Sequence, residues 1–395
     1  MTVSITINDR QVTVPKNATI LEAARSAGIT IPTLCHHPDL SDVGACRMCV
    51  VSVEKARGLQ TACTTPVFEG MAVNTESDEA RETRKFVLEM LLTDHPNKCM
   101  MCNVNGDCEL QDLVYDYGVV WPEHKGKRHN YEIDPDPNPF IFINRNKCIA
   151  CGRCIRACDE IQNRSVWSFA YRGFETKLVA GADQLLLDAR CESCGLCVAV
   201  CPVGALDNKM SVGQGRASQI TKVRTTCAYC GVGCNFDLNV RDGKIIRVTS
   251  ADDAPVNGMS LCVKGRYGYD YVHHPDRLTR PLIRAKWLSD VEAQVASGKW
   301  QATTHKHTGP QNGNGASKTR NPKPETRNPN TFIETDWDTA LDLVAAKYAE
   351  TKKTYGSDAF AVLASAKCTN EENYLFNKFA RQVLGTNTID HCARL

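Results

Sequence analysis

Nineteen of the chain's twenty-one cysteines fall into five tight groups, and their spacing constrains this 395-residue sequence more than any other feature. Cys35, Cys46, Cys49 and Cys63 run C-x10-C-x2-C-x13-C, and Cys99, Cys102 and Cys108 follow His95 as H-x3-C-x2-C-x5-C. Cys148, Cys151, Cys154 and Cys158 run C-x2-C-x2-C-x3-C, and Cys191, Cys194, Cys197 and Cys201 repeat that spacing. Cys227, Cys230, Cys234 and Cys262 run C-x2-C-x3-C-x27-C. Two cysteines this close in sequence rarely reach disulfide geometry with each other. Such groups suit metal binding instead.

Each group matches a particular ligand demand. Four thiolates, two per iron, suit a 2Fe-2S core at Cys35, Cys46, Cys49 and Cys63, with zinc or free thiols as the alternative. Cys99, Cys102 and Cys108 can hold three corners of a cubane. The fourth iron would take the His95 imidazole, although a histidine before Pro96 also reads as a plain turn residue. The two repeated runs have the spacing of two-cluster ferredoxins, in which the last cysteine of each run serves the other cluster. Cys148, Cys151, Cys154 and Cys201 are then one 4Fe-4S set, and Cys191, Cys194, Cys197 and Cys158 the other. Pro202 follows the second run, whereas Asp159 stands after the first and is expected to weaken that turn. In CAYCGVGC, Gly231 and Gly233 permit tight turns that bring backbone N–H groups to cluster sulfurs. The expected complement is one 2Fe-2S and four 4Fe-4S clusters. Cys368 and Cys392 lack paired spacing and read as buried or free thiols, with a metal-ligand role for Cys392 as the weaker alternative.

The elements between these groups predict an α+β multidomain chain. Val3, Ile5 and Ile7 alternate, Asn8-Asp9 turns, and Val12 and Val14 alternate again, which predicts a hairpin. Thr19-x-x-Glu22 is a capping box for a short helix closed by Gly28. Residues 78–93 predict a helix with Phe86, Met90 and Leu91 on its apolar face. Phe236, Leu238 and Val240, an Asp242-Gly243 turn, and Ile245, Ile246 and Val248 predict a second hairpin within 222–250. Helix 337–352 (Leu341, Val344, Ala345, Tyr348), strand 359–364, helix 370–384 (Tyr374, Phe376, Phe379, Val383) and a strand near Ile389 predict the start of a parallel α/β domain. Residues 299–330, rich in Pro, Asn, Gly and basic side chains, are expected to be a disordered insertion.

Charge argues against some partners. A net charge of +2 with 23% charged residues gives no general pull towards nucleic acid or a membrane surface. No apolar run approaches the roughly 20 residues that span a bilayer, so no direct membrane span is expected. No secretory leader is visible, and a reducing cytoplasm suits so many thiolates. No G-x-G-x-x-G follows a strand, so no NAD site is visible in the chain itself.

The residues also carry a family resemblance. The first two groups and their order resemble the large iron–sulfur subunit of respiratory complex I. They resemble equally the N-terminal half of iron-only hydrogenases and of multi-cluster formate dehydrogenases. CAYCGVGC at 227–234 and LCVKGR at 261–266 look like the cluster-binding opening of molybdopterin oxidoreductases, formate dehydrogenases above all. An iron-only hydrogenase would follow its ferredoxin with different cysteine motifs. A complex I subunit resembles residues 1–110 and 227–262 but usually carries one cubane between them. SAKCTNEENYLFNKFARQVLGTNTIDHCARL, residues 365–395, is similar to catalytic subunits of NAD-linked or hydrogenase-linked formate dehydrogenases.

The resemblance implies a β-grasp 2Fe-2S domain at 1–78, a His(Cys)3-ligated segment at 79–118 and two ferredoxin motifs at 138–210. It implies a cubane domain of the molybdopterin type at 220–276 and the truncated start of a molybdopterin-binding α/β domain at 277–395. It makes His95 a ligand. Lys264, by itself a solvated lysine, becomes a catalytic, cofactor-binding cation between the fifth cubane and the pterin. A Mo or W bis-pterin guanine dinucleotide is implied in the full-length protein. The implied partner is a flavin-containing NAD(P)-reducing subunit or an iron-only hydrogenase module. In that family the residue after Leu395 is the cysteine or selenocysteine metal ligand, so a UGA codon read as stop is expected there. The nucleotide sequence tests that expectation. The alternative is a non-catalytic electron-wire subunit like that of complex I.

Overall fold

A computed structural model describes residues 1–119, 121–251, 253–287 and 332–392. They form two units: Met1–Cys227 with Gly233–Asp270, and Ala228–Val232 with Tyr271–Leu395. The expected cubane domain at 220–276 is thus divided between the two units.

The first unit opens with the predicted hairpin of β1 (Thr2–Ile7) and β2 (Arg10–Pro15). Its turn uses Asn8 and Asp9 at φ 49° and 65°, a region these two residues tolerate better than most. The capping box at Thr19 starts α1 (Ile20–Ser26), and Gly28 follows at φ 69°. With β3 (Val50–Val53), β4 (Gln60–Thr61) and β5 (Ala72–Asn74) the strands form a mixed sheet of order β2-β1-β5-β3-β4, β5 lying parallel to β1. Its core joins Ile5, Ile7, Leu21 and Val51 to Cys49 and Cys63.

Helix α2 (Asp78–Asp94) forms where expected but presents a different face. Phe86 is 50% exposed, and the buried row is Ala80, Arg84, Leu88 and Leu92. Arg84 sets that rotation. Its fully buried guanidinium donates to Val50 O at 2.7 Å, Thr75 O at 2.8 Å and Tyr117 Oη at 3.0 Å. A buried charge needs such partners, and satisfying them outweighs burying one more phenyl ring.

The ferredoxin region is framed by two antiparallel pairs, Ile141–Ile143 with Leu206–Asn208 and Trp167–Ala170 with Lys177–Ala180. The sequence repeat is a backbone repeat too. Ala150 and Gly152 have φ 51° and 71°, and Ser193 and Gly195 have φ 54° and 71°. Short helices follow each, Arg153–Arg156 and Leu196–Ala199. The runs then diverge. The expected weak turn at Asp159 is absent, because the helix continues as a π turn over Ala157–Ile161. After Cys201, Pro202 lacks the N–H to continue a helix, and the chain leaves.

Strands Thr221–Thr226, Asn235–Arg241 and Lys244–Ser250 make an antiparallel sheet with the expected Asp242-Gly243 turn. The register against Lys244–Ser250 shifts between Asn239 and Val240, with Ile246 of the neighbouring strand as the extra residue. The expected Phe236, Leu238, Val240 row is not the buried one: Phe236 and Asn239 are buried, and Leu238 and Val240 are half-buried. The Asn239 amide is satisfied by Thr249 Oγ1 at 2.9 Å and Asp237 O at 3.1 Å.

In the second unit, Leu282–Arg284 pairs antiparallel with Phe332–Glu334. Helix Trp337–Tyr355 is capped by Asp336, and Val362–Ser365 pairs parallel with Ile389–Cys392 across helix Asn370–Phe379. The β–α–β order is as expected. Leu341, Val344, Tyr374 and Val383 are exposed, and Leu343 packs on Ile283 instead. The expected disordered segment 299–330 lies outside the described residues, as does the Cys392 side chain. Among the described residues no helix is long and apolar enough to cross a membrane.

Candidate metal centres

The first group gathers between α1 and β5. Cys35, Cys49 and Cys63 are buried and Cys46 is half-buried. The Cys46 N–H donates to Cys35 Sγ at 3.4 Å, and Cys49 Sγ lies 3.4 Å from Cys63 Sγ. A hydrogen bond from Cys46 holds the Cys35 thiol down at about 5, and one from Cys63 holds Cys49 at about 7. The same bonds push Cys46 and Cys63 up. Thiols this close oppose each other's ionisation, and the charge of a bound metal would let all four be thiolates.

Three of the second group's four residues, His95, Cys99 and Cys108, line a cavity of about 240 Å³ with Asn97, Leu92 and Leu110, and Cys102 is not among its lining residues. His95 Nε2 is buried there without a hydrogen-bond partner, as are both amide atoms of Asn97. A buried orphan of this kind is rare and calls for an absent partner. Iron at Nε2 would supply it. Burial also pulls the imidazole down to about 4, and the neutral ring is the ligating form. Burial pushes the Cys108 thiol up to about 11. Cys102 Sγ accepts from Lys147 Nζ at 3.1 Å.

In the ferredoxin region the last cysteine of each run lies near the first three of the other. Cys148, Cys151, Cys154 and Cys201 line one small cavity. Cys191, Cys194 and Cys197 are within electrostatic reach of Cys158. Burial pushes Cys148, Cys151 and Cys201 up to about 11 and Cys154 and Cys197 well above their ordinary value. Bare thiolates in such places are costly, whereas a coordinating metal deprotonates a thiol outright. Backbone N–H groups approach the sulfurs, Ser193 to Cys191 at 3.3 Å and Val166 to Cys158 at 3.4 Å.

In the fifth group, the Cys227 N–H donates to Cys234 O at 2.8 Å, closing a turn through Gly233 at φ 76°. Cys262 precedes helix Val263–Tyr267, and a Cβ at Gly265 would stand 3.8 Å from Cys227 Sγ. Cys230 belongs to the second unit, where the Gly231 N–H meets Ala366 O and a Cβ on Gly231 would stand 2.9 Å from Asn370 Oδ1. Lys264 is exposed on its helix. Among the described residues no three His, Cys, Asp or Glu side chains converge closely enough to hold a single ion. His95, Cys99 and Cys108 stand instead around one cavity, and Cys148, Cys151, Cys154 and Cys201 around another.

Sequence reasoning missed the cations between these loops. Arg156 donates to Cys35 O, Ser41 O and, at 3.3 Å, Cys151 O. Arg153 pairs with Glu109 at 2.8 Å. Arg266 is 3% exposed and donates to Cys194 O at 2.8 Å and Ser250 Oγ at 3.0 Å. The available signal was position: Arg153 and Arg156 lie inside a metal-binding run, where a charge must find a partner.

Five family models match along the chain. Residues 1–78 match "2Fe-2S iron-sulfur cluster binding domain" and 84–120 "NADH-ubiquinone oxidoreductase-G iron-sulfur binding region". Residues 138–207 match "NADH-quinone oxidoreductase subunit 3, ferredoxin-like domain". Residues 220–274 match "Molybdopterin oxidoreductase Fe4S4 domain" and 277–395 "Molybdopterin oxidoreductase". The chain therefore consists of iron–sulfur domains followed by a stretch of molybdopterin oxidoreductase.

Among curated proteins, "NADPH-Fe(3+) oxidoreductase subunit alpha" of Geobacter sulfurreducens is 34% identical over 100% of this chain and 40% of its own length. An NADH-quinone oxidoreductase subunit of Rhizobium meliloti is 33% identical over 99% of this chain and 40% of its own. A "Putative formate dehydrogenase" of Staphylococcus aureus is 28% identical over 99% of this chain and 39% of its own. The chain spans about 40% of the length of these relatives. The match at 138–207 also corrects an expectation, because a double cysteine run does not set this chain apart from complex I.

Proposed function

We propose that the chain relays single electrons through one 2Fe-2S and four 4Fe-4S clusters, as the N-terminal part of a molybdopterin-dependent formate dehydrogenase. The observation that carries the relay is the gathering of Cys148, Cys151, Cys154 and Cys201 around one cavity, together with the orphaned His95 imidazole beside Cys99 and Cys108. When bound, the clusters supply one-electron chemistry and the Mo or W pterin the two-electron exchange between formate and CO2. The chain's own residues hold and insulate. The buried thiols exclude water, and the N–H groups of Ser193, Val166 and Cys46 aim at cysteine sulfurs, where such bonds tune potential. The formate assignment is supported by the similarity of residues 365–395 to that family and by the Staphylococcus relative's name.

A second reading is favoured by the matches at 84–120 and 138–207 and by the Rhizobium relative: an electron-wire subunit of an NADH dehydrogenase complex. Both readings place the outlet in a partner. The NADPH and NADH in two relatives' names support a flavin-containing NAD(P)-reducing subunit over an iron-only hydrogenase module. Metal analysis of the protein made from its native gene tests the pair. About eighteen irons with one Mo or W per chain supports the first reading, and about eighteen irons without Mo or W the second. Zinc alone, with no EPR signal after dithionite, overturns both.

A further inference from the structure

We propose that Lys147 is the positioning cation of the His95 cluster, raising that cluster's reduction potential through Cys102 and joining it to the cubane that begins at Cys148. The proposal rests on the cluster reading above. Lys147 ends the turn Arg145–Lys147 and is bonded directly to Cys148, so its backbone moves with one ligand set. Its side chain belongs to the other set, since Nζ donates to Cys102 Sγ at 3.1 Å. A third ligand loop closes over the contact. A Cβ on Gly204, three residues after Cys201, would stand 3.2 Å from Cys102 Sγ and 3.4 Å from Lys147 Nζ. Three loops therefore meet on one ammonium, with a glycine where a side chain would wedge them apart.

The physical effect has a definite sign. Reduction adds one electron to a cluster, so the core and its thiolate ligands together become more negative by one charge. A cation hydrogen-bonded to a ligand sulfur favours that reduced form. Lys147 is half-buried, and the buried Asp207 carboxyl lies within reach of its charge, so the ammonium is shared between that acid and the Cys102 sulfur it touches. Its charge also reaches the His95 ring. In the hop itself one cage loses an electron and the other gains it, and no bond or proton moves. Lys147 biases where that electron rests. A lysine that merely covered the loop would leave the potential unmoved when replaced by a residue of similar length.

The test is an EPR-monitored redox titration of the full chain, purified anaerobically, as wild type, Lys147→Met and Lys147→Arg. Lys147→Met is expected to keep its iron and to lower the His95-cluster midpoint by about a tenfold change in the reduction equilibrium, roughly 59 mV for one electron. Lys147→Arg is expected to restore most of the shift. An unchanged midpoint in Lys147→Met overturns the proposal, as does an arginine variant no better than the methionine one. If Lys147→Met loses the cluster, Gly204→Ala carries the test, because it keeps the charge but crowds the contact. A smaller downward shift is expected there, and none overturns the proposal. Failure of the cluster reading is distinct, since the wild type itself would then give no signal.

Discussion

The two ferredoxin runs have the same cysteine spacing and the same pair of left-handed residues, yet they differ in what surrounds them. Around Gly152 there is room: a Cβ would meet only Phe169 Cε2, at 3.8 Å. Around Gly195 there is none, because a Cβ would stand 2.3 Å from both Arg266 Cδ and Tyr267 Oη. The first run continues into a π turn and sends Arg156 to the 2Fe-2S loop, while the second stops at Pro202 and is roofed by the helix after Cys262. Spacing alone thus fixes the ligand geometry. The neighbours of each run determine how much change it tolerates.

The comparison breaks first if ligands are not exchanged. Under exchange, the double variant Cys158→Ala/Cys191→Ala damages one cage and loses about four irons, measured by iron analysis. Ligation within each run would instead remove about eight. Next, the glycines should separate. Gly195→Ala combines left-handed strain with overpacking and should destabilise by about 3 kcal/mol or more in chemical denaturation. Gly152→Ala should show the strain alone, about 1 kcal/mol. Equal effects would remove the asymmetry. Smallest is Tyr267→Phe, which deletes a buried hydroxyl that has no partner. Stability should change by less than about 0.5 kcal/mol or rise slightly, since no hydrogen bond is lost.

Much of this was legible because cysteine spacing is covalent information. The grouping of Cys148, Cys151, Cys154 and Cys201 around one cavity, the Asn8-Asp9 and Asp242-Gly243 turns, the Thr19 cap and the β–α–β order of 362–392 all follow from local chemistry. The missed features are tertiary. Arg84 turns α2 away from the face Phe86 suggested, and the buried Asn239 amide finds Thr249 Oγ1 and Asp237 O where the alternation marked only apolar side chains. Arg156, Arg266 and Lys147 mattered only once distant carbonyls and a sulfur were brought to them. Helices 337–355 and 370–379 form where the pattern placed them, and their apolar rows stand exposed at Leu341, Val344 and Tyr374, because the sequence pattern marks apolar side chains but not what covers them.

Arg156 has a consequence for how such chains can be reshuffled in evolution or in the laboratory. Residues 1–78 look like a transferable cassette, but part of that cassette's fastening is a guanidinium donated from far downstream onto its Cys35 and Ser41 carbonyls. A transplant that leaves Arg156 behind strips those carbonyls of a donor in the host and leaves the parent chain's Arg156 without two of its acceptors. Successful grafts should therefore be those that import both halves of the clasp.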